Sequence, residues 1–153
     1  MRTLGRASDF VFEFPFVGDC SADLIVGDKA LGIICVVEFE DGRGESIFNK
    51  PQIRSTKEWC RRFEHGFSQI VDWFCMLDDA KKSERFKKDF GPGHVRFSGL
   101  LIIGRDAGLT EYERFRLRWR TEKVGVDNHS VECITFDVLH RHMDQHLQLN
   151  TSI

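Results

Sequence analysis

The period of the apolar residues shifts along the chain between two and three-to-four, and each shift predicts an element. Residues 10–16 alternate apolar and other side chains as far as Pro15, the spacing of a half-buried strand. A turn-rich connection, residues 17–21, leads into Ala22-Asp23-Leu24-Ile25-Val26, and Gly27-Asp28-Lys29 leads on to Ile33-Ile34-Cys35-Val36-Val37-Glu38-Phe39-Glu40. The β-branched content of these two runs and the short loop between them predict a hairpin. Gly42 and Gly44 end the pattern, and residues 43–56 read as a loop of unspecified structure. From about Lys57 to Leu77 the residues Trp59, Phe63, Phe67, Ile70, Phe74 and Leu77 recur at spacings of three and four, which predicts a long helix with Thr56 as its N-cap.

The lysine-rich residues 80–88 read as a solvated connection, punctuated by Gly91-Pro92-Gly93 before an apolar strand over residues 97–104 that should be buried on both faces. Thr110-Glu111-Tyr112-Glu113 is a capping box and predicts a helix, although Phe115, Leu117 and Trp119 alternate with arginines at the period of a strand. The cap decides for helix. Residues 131–136 predict a last short strand, and Asp137 is placed to cap a final helix reaching about Leu147. Strands interleaved with helices predict an α/β fold with a mixed central sheet flanked by helices. No repeat, low-complexity tract or Pro/Ser-rich linker divides the chain, so residues 1–153 are expected to form a single domain.

Composition changes this picture little. A chain of 153 residues is long enough to bury a substantial core, and 41% hydrophobic residues exclude disorder as its main theme. Fourteen phenylalanines beside one tyrosine predict an aromatic core. The net charge of -2 requires that any grip on a phosphate backbone come from a local cluster of Lys and Arg. The five cysteines are scattered, with no CxxC pair, and read as reduced thiols. No signal-peptide pattern opens the chain and no apolar run nears the roughly 18 residues of a membrane span, so a cytoplasmic protein is expected.

The chemistry concentrates in the hairpin. Side chains alternate faces along a strand, so Glu38 and Glu40 share the face of Ile34 and Val36 and stand about 7 Å apart at the backbone. If the two strands pair antiparallel, Asp23 falls beside the end of the second, and three carboxylates converge. Unit charges about 4 Å apart repel by about 1 to 4 kcal/mol between bulk water and near-surface conditions, so the cluster calls for a cation, a proton or wider spacing. Hard oxygen ligands suit Mg²⁺ or Mn²⁺, which keep several waters and activate them toward phosphodiesters. The spacing fits equally a set of acids that solvate a strand end.

An Asp before a hairpin, followed by an acid-x-residue pair closing an apolar strand, resembles the PD-(D/E)XK nuclease superfamily. The segments Val36-Val37-Glu38-Phe39-Glu40, His65-Gly66-Phe67-Ser68-Gln69, Gly99-Leu100-Leu101-Ile102-Ile103-Gly104-Arg105 and Cys133-Ile134-Thr135-Phe136-Asp137-Val138-Leu139 extend the likeness, over most of the chain, to the nuclease domain of the Shedu antiphage-defence family. The resemblance implies a restriction-endonuclease-like fold and metal-dependent cleavage of DNA in defence against phage. It implies Asp23 as the first acid of the motif, Glu38 as the second and Gln69 as the helix glutamine beside the metal site. Glu40 occupies the position of the motif's lysine. That exchanges a cation able to stabilise the charged phosphorane for a further ligand or base. Lys50 on the loop and Arg62 on the helix are the candidates to supply the missing cation. The departure also opens an alternative, a catalytically silent module that binds nucleic acid or assembles with itself. The chain starts almost at the first strand, so the helix and the N-terminal domain that precede it in full-length relatives are expected to be absent.

Three other features carry chemistry by residue type. His65, Gln69 and Trp73 share a helix face apart from the phenylalanine stripe, as expected of a helix lining a site. Arg105, Arg114, Arg116, Arg118 and Arg120 gather around Trp119, a pattern that serves phosphate contact and base stacking, although Glu111, Glu113 and Glu122 make a salt-bridged surface the favoured reading. A surface patch joining Trp59, Trp73 or Trp119 would instead mark an interaction module. His142 and His146 have the spacing of a zinc pair but no second motif joins them, and a solvated terminal helix is the expectation.

Overall fold

The computed structural model describes residues 8–16, 20–50, 56–91 and 93–151. The order of elements is β1 (Asp9–Pro15), β2 (Ser21–Asp28), β3 (Ile33–Phe39), α1 (Arg61–Ala80), α2 (Glu84–Phe90), β4 (Arg96–Ile102), α3 (Glu111–Lys123), β5 (Gly125–Val126), β6 (His129–Ile134) and α4 (Phe136–Thr151). The strands form one mixed sheet in the order β1-β2-β3-β4-β6-β5. Its first three strands are antiparallel neighbours, β3-β4 and β4-β6 are parallel, and β5 closes back antiparallel on β6. The predicted α/β fold with a mixed sheet is the observed one. Most of the connection expected over residues 17–21, and Pro92 of the Gly-Pro-Gly break, lie outside the described residues.

Alternation along the central strands sorts side chains between two cores. Ile34 and Val36 of β3 with Leu101 of β4 face one way, against Phe63, Phe67, Ile70 and Phe74 of α1, Phe86 and Phe90 of α2 and Leu117 of α3. Cys35, Val37, Leu100 and Ile102 face the other, against Phe136, Val138 and Leu139 of α4. Both faces of β3 and β4 are therefore covered, which is why these strands read as continuous apolar runs.

The long helix begins at Arg61, with Cys60 as an N-cap that makes no side-chain hydrogen bond, and Thr56 does not cap it. The preceding residues are extended instead: Phe48 and Trp59 form an isolated bridge, the Asn49 N–H donates to Glu58 O at 2.9 Å and the Cys60 N–H to Ile47 O at 2.9 Å. Backbone pairing there takes groups that an earlier helix start would need. The solvated connection over residues 80–88 is also corrected, because Ser83 Oγ accepts from the Phe86 N–H at 3.1 Å and starts α2. Phe86 and Phe90, one turn apart, are buried while Lys87 and Lys88 remain exposed.

The capping box of α3 is present in full, with Thr110 Oγ1 accepting from the Glu113 N–H and Glu113 Oε2 from the Thr110 N–H. At α4 the cap is Thr135, whose Oγ1 accepts from the Val138 N–H at 3.2 Å. Asp137 lies inside the helix and accepts from the Asp106 N–H at 2.7 Å and from Arg105 at 3.1 Å. The β5-β6 hairpin escapes the sequence reading because its turn uses Asp127 and Asn128, both at positive φ, in place of an Asn-Gly or Asp-Gly pair. Among the described residues, no helix is long and apolar enough to cross a membrane.

Two glycines bring α1 close to β4. A Cβ on Gly99 would stand 2.3 Å from the Ile70 side chain, and one on Gly66 would stand 2.7 Å from the Leu101 side chain. Gly99→Ala is expected to destabilise the fold by about 1 to 3 kcal/mol through overpacking, and, because the clash is with Ile70 Cγ2, to cost less when Ile70 is already trimmed to Ala than in the parent. Urea denaturation of the single and double variants checks this, and equal stabilities of Gly99→Ala and the parent would show that the seat has slack.

Candidate functional site

The acids gather where β3 leaves the sheet. The β2-β3 register pairs Leu24 with Val37 and Ile25 with Val36, so Asp23 lies across from Glu38 just past the last pair of the ladder. The Asp23 side chain continues that ladder by itself, its Oδ2 accepting from the Phe39 N–H at 2.8 Å. Asp23 thereby ties the end of β3 to β2 with one oxygen. Glu38 is on the α1 side by alternation with Val36 and is 7% exposed, and its Oε2 is buried with no hydrogen-bond partner. Burial first, then repulsion from the Asp23 and Glu40 carboxylates, pushes the Glu38 carboxyl up to about 8.

Glu40 has a different environment. Its N–H donates to Ile102 O at 2.9 Å, which keeps it in line with the strand. Its side chain reaches under the N-terminal turns of α1, where Arg62 Nη1 meets Glu40 Oε2 at 3.3 Å. Gly66, one turn further, leaves room for it: a Cβ there would come within 3.0 Å of Glu40 Cγ. Arg62 Nε also lies 3.8 Å from Asp41 Oδ2, an oxygen that Arg43 holds at 2.8 Å.

The expected three-carboxylate convergence is therefore not what the fold builds. Among the described residues no three His, Cys, Asp or Glu side chains come together closely enough to hold a metal ion. The fold opposes Asp23 and Glu38, and a guanidinium occupies Glu40. A buried carboxylate oxygen without a donor, beside a second carboxylate, still fits a hard divalent cation. Mg²⁺ is commonly held by only one or two carboxylates and completes its shell with water and phosphate.

Gln69 is placed by helix geometry. Gly66 meets Leu101, which pairs with Glu38, and Ile70 meets Gly99, which pairs with Val36, so the Gln69 backbone lies between these levels, nearer that of Val36, with its Cα–Cβ bond tilted toward the helix N-terminus, the Glu38 end. It lies on the flank of α1 that carries Arg62, seven residues and about two turns earlier. It is partly buried, and its side chain makes no hydrogen bond among the described residues. Trp73, expected to extend a polar stripe from His65 and Gln69, is 1% exposed and stacks on Phe16 at 5.6 Å, so that stripe ends in the core. Lys50 pairs with exposed Glu45 at 3.0 Å and makes no ion pair with the three acids. Gly66 is the residue the sequence reading passed over, and a glycine amid the apolar stripe of a long helix is the signal that marks a close approach.

No curated protein matches the chain. Residues 4–140 match the family described as Shedu protein SduA, C-terminal, a span that takes in β2, β3, α1 and β4 and with them every acid of the site. The chain belongs to the Shedu SduA C-terminal family.

Proposed function

We propose that this chain is a restriction-endonuclease-like domain that cleaves DNA with the help of Mg²⁺ or Mn²⁺. Membership of the Shedu family points to antiphage defence. The observation that carries the nuclease reading is Glu38: a buried carboxyl with an orphaned oxygen, beside Asp23, at the end of a central strand. An acid so placed is a poor stabilising device. An unpaired buried carboxylate disfavours the fold, whereas pockets that need a ligand retain such groups.

In this reading Asp23 and Glu38 hold the cation, which supplies Lewis acidity toward a phosphate oxygen and makes a water more acidic. Asp23 has a second task, because its bond to the Phe39 N–H fixes the strand end and so the direction of Glu38. Arg62 supplies the positive charge that Glu40 displaces from the motif's lysine position, and the Glu40 carboxylate steers that guanidinium over the site. Gln69, on the same flank of α1 as Arg62, offers an amide to orient water or phosphate. The Arg62-Glu40 pairing also favours a second reading, a silent nuclease-fold module that binds nucleic acid or assembles with itself, since a guanidinium so engaged is less available to substrate.

Cleavage of supercoiled, nicked and linear DNA by the purified protein decides between the two. Cutting with Mg²⁺ or Mn²⁺ that EDTA abolishes, and that falls at least about 100-fold in Asp23→Ala and Glu38→Ala proteins of native circular dichroism, is the expected result. Metal-independent behaviour of all three proteins selects the silent module.

Glu38 also sets a pH dependence of stability. Its carboxyl is about 8 in the fold against an ordinary value of 4.5, so between these values the native state holds a proton that the unfolded chain has released. Without metal the melting temperature should fall as pH rises from about 4.5 to 8, and Mg²⁺ should restore it most at the alkaline end, where the proton it displaces is already leaving. Glu38→Gln should flatten both dependences. A melting curve unaffected by Mg²⁺ at pH 8 would remove Glu38 as a ligand.

The cation has its own test. Arg62→Ala is expected to lower cleavage at least about tenfold and Arg62→Lys to restore most of it, while Lys50→Ala cuts like the parent. Loss of cutting in Lys50→Ala with none in Arg62→Ala would reverse the assignment.

A further inference from the structure

The flank of α1 turned away from the acids borders an aromatic groove that the nuclease reading does not use. Only Leu117 and Glu113 of α3 are buried, so its aromatic residues do not build the core. Tyr112 is 60% exposed, Phe115 48% and Trp119 52%, and positions 112, 115 and 119 follow one face of the helix. Together with Trp59 they wall an open cavity of about 460 Å³. The guanidinium of Arg116 lies 5.0 Å and that of Arg120 4.8 Å from the Trp59 ring centre.

The charges around this groove are unequal. Glu64 neutralises Arg120 through two bonds of 2.7 and 2.8 Å, and Lys57 neutralises Glu113 at 3.0 Å. Arg116 donates only to a neutral carbonyl, Lys57 O at 2.7 Å. Arg116, Arg118 and Lys123 have no carboxylate partner among the described residues, and of the helix's acids only Glu111 and Glu122 remain to oppose them. A groove of exposed rings edged by unbalanced cations suits a ligand with planar apolar faces and a negative backbone.

We propose that the α3 groove holds single-stranded nucleic acid, with unpaired bases stacked on Trp119, Tyr112 and Phe115 and phosphates met by Arg116, Arg118 and Lys123. Duplex does not satisfy this surface, since its base faces are already stacked on one another, whereas an unpaired base offers a free π-face to each ring. A second copy of the chain docked through the same face would set the unbalanced cations of both helices against each other. The groove extends the nuclease reading to the form of DNA the domain grips, and its test needs no cutting.

Fluorescence anisotropy of a labelled oligo-dT strand, titrated with the full chain in EDTA, measures the site apart from cleavage. Trp119→Ala and Tyr112→Ala are each expected to weaken binding by about 5- to 150-fold, the range of one lost base stack, while Trp119→Phe stays near the parent. Arg118→Glu, at an exposed helix position, gives a second arm that leaves the rings in place and should flatten the dependence on salt, which for three phosphate contacts has a log-log slope of about -2. Quenching of tryptophan fluorescence on binding, lost in Trp119→Ala, would place the base on that ring. The proposal is overturned if oligo-dT does not bind, if Trp119→Ala binds as the parent does, or if unlabelled duplex competes as well as single strand. It is equally overturned if sedimentation shows a dimer that Trp119→Ala dissolves, which would assign the face to a second copy.

Discussion

The seating of α1 on β4 is the constraint on which the rest of this structure depends. Where Ile70 crosses Gly99 and Leu101 crosses Gly66, the missing Cβ atoms let helix and strand approach more closely than two side-chain-bearing surfaces allow. With its core-facing stripe fixed, each flank of a 20-residue helix has a set destination. One flank carries Arg62 over Glu40, with Gln69 on the same flank about two turns further along. The other carries Glu64 to Arg120 and lays Phe63 and Phe67 beneath the same guanidinium, 5.0 and 4.6 Å from their ring centres. Rotating the helix would misplace both sets at once, which is why an internal glycine is tolerated despite its cost of about 1 kcal/mol in helix propensity.

That geometry explains how a carboxyl as unfavourably placed as Glu38 persists. Its neighbours at strand positions 34, 36 and 37 are all buried hydrophobics, so the strand must be deep to be covered by α1 and α4, and Glu38 is carried down with it. Leucine at this position would suit the packing better. Glutamate is tolerated because the strand ends one residue later, where Asp23 closes the ladder, and because protonation removes the charge when no cation compensates it.

Much of the fold was legible in the sequence because its elements announce themselves locally. The hairpin follows from two β-branched runs about a short turn, and α3 follows from a capping box strong enough to override the strand-like alternation of Phe115, Leu117 and Trp119. The failures are places where a distant partner decides. Thr56 loses its cap because the chain around Trp59 pairs with residues 47–49, far away in sequence. A stretch rich in lysine hides α2, since only two phenylalanines one turn apart need burying. Alternation set Glu38 and Glu40 on one face, and antiparallel pairing set Asp23 opposite Glu38, as the β2-β3 register has it. Neither showed that Arg62 would claim Glu40, because nothing in the spacing of a strand reports which helix residue lies above it.

The same distinction governs electrostatics. A net charge of -2 says nothing against nucleic acid, because the relevant quantity is which charges remain after pairing. Past the ends of β3 and β4 the arginines are balanced one by one: Arg62 by Glu40, Arg43 by Asp41, Arg105 by Asp137 and Arg141 by Asp106. On α3 the balance fails, since Glu113 is spent on Lys57 and Arg120 on Glu64, and the remaining cations outnumber the remaining acids. A cation-rich surface faces solvent on one flank of α1, and buried Glu38 with half-buried Asp23 lies on the other. On the proposed reading, in which a polyanion is held at one place and a metal at another, this separation would keep the cations of the grip from neutralising the carboxylates of the site.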